Sequence, residues 1–194
     1  MSLTSQQIEH VFRPVSTGRF GLGIIETGSV AGGLSSLFSI GFEILGYASV
    51  EIEADDLVIK CARFSRLFGD IAQQLAEFIP AIPPVVRSEV LSFGGRLSAF
   101  SANGLYQEFG ALGAVSFARG VLCEFLSVAI PHYISRCSEL SDKSFSRALS
   151  AALTVVDEAR DEIDAKGFHN ELTRSNESEN LRAFEEILDL SWFE

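Results

Sequence analysis

The chain has 194 residues, 47% of them hydrophobic, and a formal net charge of -11 from 26 acidic and 15 basic side chains. That length and apolar share support one ordinary domain with a sizeable core and exclude wholesale disorder. The acidic balance, with no run of four basic residues, excludes a nucleic-acid binder, because phosphate contacts require clustered Lys or Arg.

The first residues, MSLTSQQIEHVF, carry neither a basic segment nor an apolar one, so no secretory leader is expected. Thr4 to Gln7 has the spacing of a capping box, and Ile8, Val11 and Phe12 then share one helical face up to Pro14. Gly18, Gly21, Gly23 and Gly28 follow within eleven residues. This stretch reads as loop, or as a short strand over Leu22 to Ile25. It is neither a dinucleotide fingerprint nor a phosphate loop.

From Ser29 the apolar residues fall at helical spacing: Val30, Leu34, Leu37, Phe38, Phe42 and Leu45, with Gly46 as the expected stop. The stripe is wide, which predicts a helix buried on most sides. Residues 47 to 62 admit two readings, a short β-hairpin turning at Asp55-Asp56 or the start of a helix. Leu57, Cys61, Phe64, Phe68, Ile71, Leu75 and Phe78 keep steps of three and four well past any hairpin, so a helix is assigned from Asp56 to Ile79. Glu51, Glu53, Asp55 and Asp56 lack the glycine and distal glutamate of a calcium loop and read as a solvated turn.

Pro80, Pro83 and Pro84 make the clearest break in the chain. A helix with Val86, Val90, Phe93, Leu97 and Phe100 on one face is expected next, then a turn at Asn103-Gly104. Phe109 to Ile130 is the most apolar stretch, holding only Arg119 and Glu124 as charges. Both it and Val30 to Val50 are long enough to raise the question of a membrane span. The internal carboxylates Glu124 and Glu43 would cost about 3 kcal/mol each in lipid, so both are assigned as buried core helices. Pro131 is expected to end or kink the second, with a short helix from His132 to Leu140.

Ser141 or Asp142 caps the best-marked helix. Phe145, Leu149, Ala152, Val156 and Ile163 form its buried stripe, and Lys166-Gly167 its end. Asp157, Asp161 and Asp164 line the other side, an acidic row that reads as a solvated face or as one that attracts a cation or a basic partner. From His169 to Asn180 the chain loses its apolar period and reads as a flexible linker. Leu181, Phe184, Ile187 and Leu188 then share one helical face, followed by Trp192 and Phe193. An acidic, aromatic amphipathic segment on a tether has the physical form of a docking peptide. Covering its own domain is the competing role.

An offset of 81 residues aligns Gly32 with Gly113, Ser35 with Ser116, Glu43 with Glu124, Leu45 with Leu126 and Ala48 with Ala129. It also aligns Phe64-Ser65-Arg66 with Phe145-Ser146-Arg147 and Glu77 with Glu158. This weak two-fold repeat divides a domain of residues 1–168 into halves 1–82 and 83–168, with an appendage at 169–194.

Catalytic chemistry is sparse. His10, His132 and His169 stand apart and no zinc or nucleophile-elbow spacing occurs, so no metal, no cofactor and no enzyme are expected. Cys61, Cys123 and Cys137 lack paired spacing and read as buried thiols of a reducing, cytoplasmic compartment. Glu43 and Glu124 could serve an enzyme only by facing each other. Otherwise each points to the surface or pairs with an arginine such as Arg66 or Arg147.

The sequence thus predicts an all-α bundle of about six helices around two apolar ones. The expected role is an adaptor, inhibitor or immunity-type protein that binds a partner with a basic surface. The alternative is a binder of an apolar small ligand, in a pocket lined by Phe38, Phe42, Glu43, Phe117, Glu124 and Phe125.

Overall fold

The computed structural model describes residues 22–81 and 102–163. Among them the chain is helical throughout, with four long helices and no strand. Helix α1 is Ile24–Glu51 and α2 is Asp55–Ala76. Helix α3 spans Ala102–Ile134, and α4 is Lys143–Glu162. The expected helices around Ile8 and over Pro84 to Phe100 lie outside the described residues.

The start of α1 is fixed by its first-turn acid. Gly23 N–H donates to Glu26 Oε2 at 3.4 Å, half of a capping box. The negative charge also suits the positive end of the helix dipole. Helix therefore occupies Ile24 onward, and the expected strand over Leu22 to Ile25 does not form. Gly46 does not stop the helix, because Leu45 and Ala48 on either side are fully buried and hold the turn in place. The hairpin reading of residues 47 to 62 also fails: α1 runs to Glu51, a three-residue link follows, and α2 begins at Asp55.

Helices α1 and α2 form an antiparallel pair packed through small residues. Ser35 Oγ donates to the Ala72 carbonyl at 2.7 Å, and Ser65 Oγ to the Phe42 carbonyl at 2.8 Å. Both bonds cross the seam. At Gly41 an added Cβ would lie 2.3 Å from the Phe68 ring, so only glycine permits this approach. Phe68 in turn meets Phe38 edge to face at 5.2 Å. The stripe Cys61, Phe64, Phe68, Ile71 and Leu75 is buried as its spacing predicts.

Helix α3 is irregular for identifiable reasons. Gly110 has φ 69 and ψ 179, a conformation open to glycine, and it breaks the run Ala102–Phe117. A π-helical turn follows at Ala118–Cys123. The last piece, Glu124–Ile134, passes through Pro131. The helix thus runs through Pro131 to Ile134, and the separate helix expected from His132 to Leu140 does not form: His132 to Ile134 belong to α3 and turns follow. Buried Tyr133 and Ile130 hold this last stretch onto the core.

Helix α4 packs the predicted stripe inward: Phe145, Leu149, Ala152, Val156 and Ile163 are all buried. It ends at Glu162, earlier than the Lys166-Gly167 expected from sequence. Its last turn is held by arginines from two other helices. Arg63 of α2 reaches Glu158 and Glu162 at 2.9 Å. Arg119, from the π turn, donates Nε–H to the Arg160 carbonyl at 3.0 Å, satisfying an acceptor that the helix leaves open.

The other end of the molecule is tied by Asp142. Its buried carboxylate accepts Leu22 N–H at 3.0 Å and Ser138 N–H at 2.7 Å. Beside it Arg136 pairs with Glu26 Oε1 at 2.8 Å. These contacts fasten the entry of α1 to the α3–α4 connection. Replacing Asp142 by Ala leaves two backbone donors unmatched and is expected to cost about 1–3 kcal/mol per lost partner. Gly110→Ala is expected to cost about 1–3 kcal/mol from backbone strain alone, since nothing lies within 4 Å of the added Cβ. Urea unfolding of both variants measures this; a Gly110→Ala protein as stable as the parent would refute the strain argument.

Candidate functional site

The structure separates the residues proposed for an apolar pocket between α1 and α3. Phe38, Phe117 and Phe125 are fully buried and form core. Phe42, one turn further along α1, is instead 46% exposed and lines the outer seam between α1 and α2. Glu43 and Glu124 are both exposed, so neither has the dry setting in which two carboxylates share a proton. Glu124 pairs with Arg160 at 3.6 Å, rather than with Arg147. Among the described residues Glu43 makes no ion pair with Arg66.

The acidic row of α4 is partly used inside the molecule. Asp157 lies 3.9 Å from Arg160, whose Nη1 also donates to Ser127 Oγ at 3.2 Å. Asp161 is exposed. Asp164 lies outside the described residues, as do Leu181, Phe184, Ile187, Leu188, Trp192 and Phe193.

A different surface emerges on the outer side of the α1–α2 pair. A groove of about 690 Å³ runs along the seam, between Phe42, Ser39 and Ser49 on α1 and Ala62, Arg66 and Asp70 on α2. Near the α1–α2 link in the chain stand large apolar side chains in solvent: Val50 is 80% exposed and Ile59 67%. Tyr47 is exposed as well and stacks obliquely on Tyr106, ring centres 6.2 Å apart. Partial burial and then the adjacent Glu51 carboxylate, which accepts its hydrogen bond, push the Tyr106 phenol up.

The same end carries Glu43, Glu53 and Asp55 in the open, with Asp56 bound to Lys60 at 2.6 Å. The sequence reading treated this acidic link as a solvated turn. What it missed is the company of Tyr47, Val50 and Ile59, because i, i+3 and i+4 spacing places them on faces but does not say which face remains open.

Among the described residues no three His, Cys, Asp or Glu side chains converge as a metal site would require. Comparison with family models, with curated proteins and with solved structures finds no match. By length and composition, Glu26–Glu51 and Ala102–Ile134 could each cross a bilayer. In this structure 78% and 67% of their most apolar windows are buried, against each other and the amphipathic α2 and α4.

The three cysteines are free thiols. Burial pushes Cys61 up to about 11 and Cys123 up to about 12, and burial with the nearby Asp142 pushes Cys137 up to about 11. All three therefore stay protonated near neutrality, and thiols of this kind are poor nucleophiles. Native protein should resist iodoacetamide at about pH 8, whereas unfolded protein should label at all three positions. The sign for stability follows: the stabilising difference is full below the unfolded value of 9.0 and is lost as pH rises toward 11 to 12. Mass spectrometry of labelled protein checks the first; rapid native labelling at Cys123 would contradict it.

Proposed function

We propose that the protein is a binding module for another protein, an adaptor, inhibitor or immunity-type chain whose acidic surface engages a basic partner. The observation that carries this reading is the open end of the α1–α2 pair. Tyr47, Val50 and Ile59 stand in solvent there beside Glu43, Glu53 and Asp55. Large apolar side chains rimmed by charge are the composition of an interaction surface rather than of an inert one. Asp161 and the part of the acidic row beyond it extend the negative field, which speeds encounter with a cationic partner.

The C-terminal segment is the second contact in this proposal. Leu181, Phe184, Ile187, Leu188, Trp192 and Phe193 supply the apolar anchors that a folding-on-binding peptide needs. Two modest contacts on one chain reinforce each other when a linker lets both engage. The proposal takes α1 and α3 as core helices of a cytoplasmic protein, with about six helices in the whole bundle. It also takes the 81-residue offset as a true two-fold repeat. In support, Leu45 and Leu126, Ala48 and Ala129, and Phe64 and Phe145 are buried alike, while Glu43 and Glu124 are exposed alike. Catalysis has no part in the reading.

Affinity capture with the full-length chain, read by mass spectrometry, tests it. Wild type should retain one stoichiometric partner. A Val50→Ser/Ile59→Ser double variant and a chain lacking Leu181–Glu194 should each lose at least about tenfold in affinity for it. Circular dichroism should be unchanged in both. Retention of the same partner by both variants would sink the proposal.

A further inference from the structure

We infer that the groove between α1 and α2 receives one basic amphipathic helix of the partner protein. The inference rests on the protein-binding reading and specifies what that reading leaves open.

Shape comes first. The groove lies over two antiparallel helices whose facing positions are small, Ser35, Ser39, Ser65, Gly69 and Ala72 among them. Small residues lower the floor, and a third helix seats its ridge of side chains between two such neighbours. About 690 Å³ accommodates several side chains of one helix face.

The chemistry of the floor points the same way. Its serines are polar in name but already engaged. Ser35 donates to the Ala72 carbonyl and Ser65 to the Phe42 carbonyl across the seam. Ser39 and Ser49 donate to the Ser35 and Gly46 carbonyls within α1. An apolar side chain entering the groove therefore strips no hydroxyl of its acceptor. The half-exposed ring of Phe42 on the wall offers it direct contact.

Charge selects among occupants. Arg66 is the one cation of the lining, opposed by Asp70 one turn away. Beyond the groove, Glu43, Glu53 and Asp55 make no ion pair among the described residues. The chain's own C-terminal segment carries seven acidic and two basic residues from Asn170 onward, so it is repelled from this end. A second copy carries -11 of its own and is repelled likewise. A helix with an apolar face and lysine or arginine flanks meets both the floor and the field.

The test uses the full-length chain and two labelled helical peptides of about 18 residues, roughly five turns. One has a leucine face with lysine elsewhere; the other has the same leucine face with glutamate. Fluorescence anisotropy reads binding at about 0.15 M salt. Ala62→Trp fills the groove from an exposed rim position, and Glu53→Gln/Asp55→Asn removes charge without touching the core.

The Leu/Lys peptide should bind, and Ala62→Trp should weaken it at least about tenfold. The charge variant should weaken it and reduce its salt dependence. Glu139→Gln, an exposed acid at the α3–α4 connection, should change nothing, and the Leu/Glu peptide should not bind. Equal binding of both peptides, insensitivity to Ala62→Trp, equal loss with Glu139→Gln, or a self-associated chain that Ala62→Trp converts to monomer would each overturn the inference. Tight binding that appears only after removal of Leu181–Glu194 would also overturn it, by assigning the groove to the chain's own end. If the peptides fail while partner capture still depends on Val50 and Ile59, the groove assignment falls and the binding reading stands.

Discussion

Ser35 and Ser65 reach across the α1–α2 seam to carbonyls of the opposite helix, and this close approach conditions most of what surrounds it. Helix α1 has scarcely any polar face, so its sides must be covered by other elements. One side is covered at very short range, through Gly41, Ser65, Gly69 and Ala72. Helices that pack this tightly bury backbone as well as side chains. The hydroxyl bonds keep that burial free of unmet serine donors. The cost of the arrangement is intolerance: at Gly41 even a methyl group would run into Phe68.

More of α1 is covered by α3, which meets a different constraint. A straight helix of 33 residues would be about 50 Å long, longer than the pair it covers. Gly110, the π turn and Pro131 let it change direction while staying packed. The π turn also presents Arg119 to the end of α4. Arg160 in turn gathers Glu124, Asp157 and Ser127. Charges that look isolated within an apolar stretch are thus the polar joints of the bundle. Exposed pairs of this kind add little stability singly; their geometric role is to set where α4 lies along α3.

The outer face of the α1–α2 pair is what this packing leaves over. Small residues chosen for close approach also leave a shallow floor on the outside, and the short link concentrates acids beside Val50 and Ile59. The same local feature, helices drawn together by small residues, therefore makes both the seam and the groove.

Amphipathic spacing alone determined α2 and α4. Phe64, Phe68 and Leu75, and Phe145, Leu149 and Val156, are buried as their steps of three and four require. It also determined that the two apolar stretches are helices and that α4 starts just after Ser141 or Asp142. Sequence failed where several sides of a helix are buried, because periodicity then carries no direction. Phe38 and Phe42 belong to the same stripe, yet one is core and the other lines a groove. Helix ends failed for a related reason. Gly46 and Pro131 favour a stop locally, and the burial of Leu45, Ala48, Ile130 and Tyr133 outweighs that preference. Partners at long range were beyond reach: Glu124 meets Arg160, and Asp142 meets the backbone of Leu22. Which charges are consumed inside the molecule, and which apolar side chains remain outside it, was decided by tertiary packing, since both depend on the neighbours a face acquires rather than on the face itself.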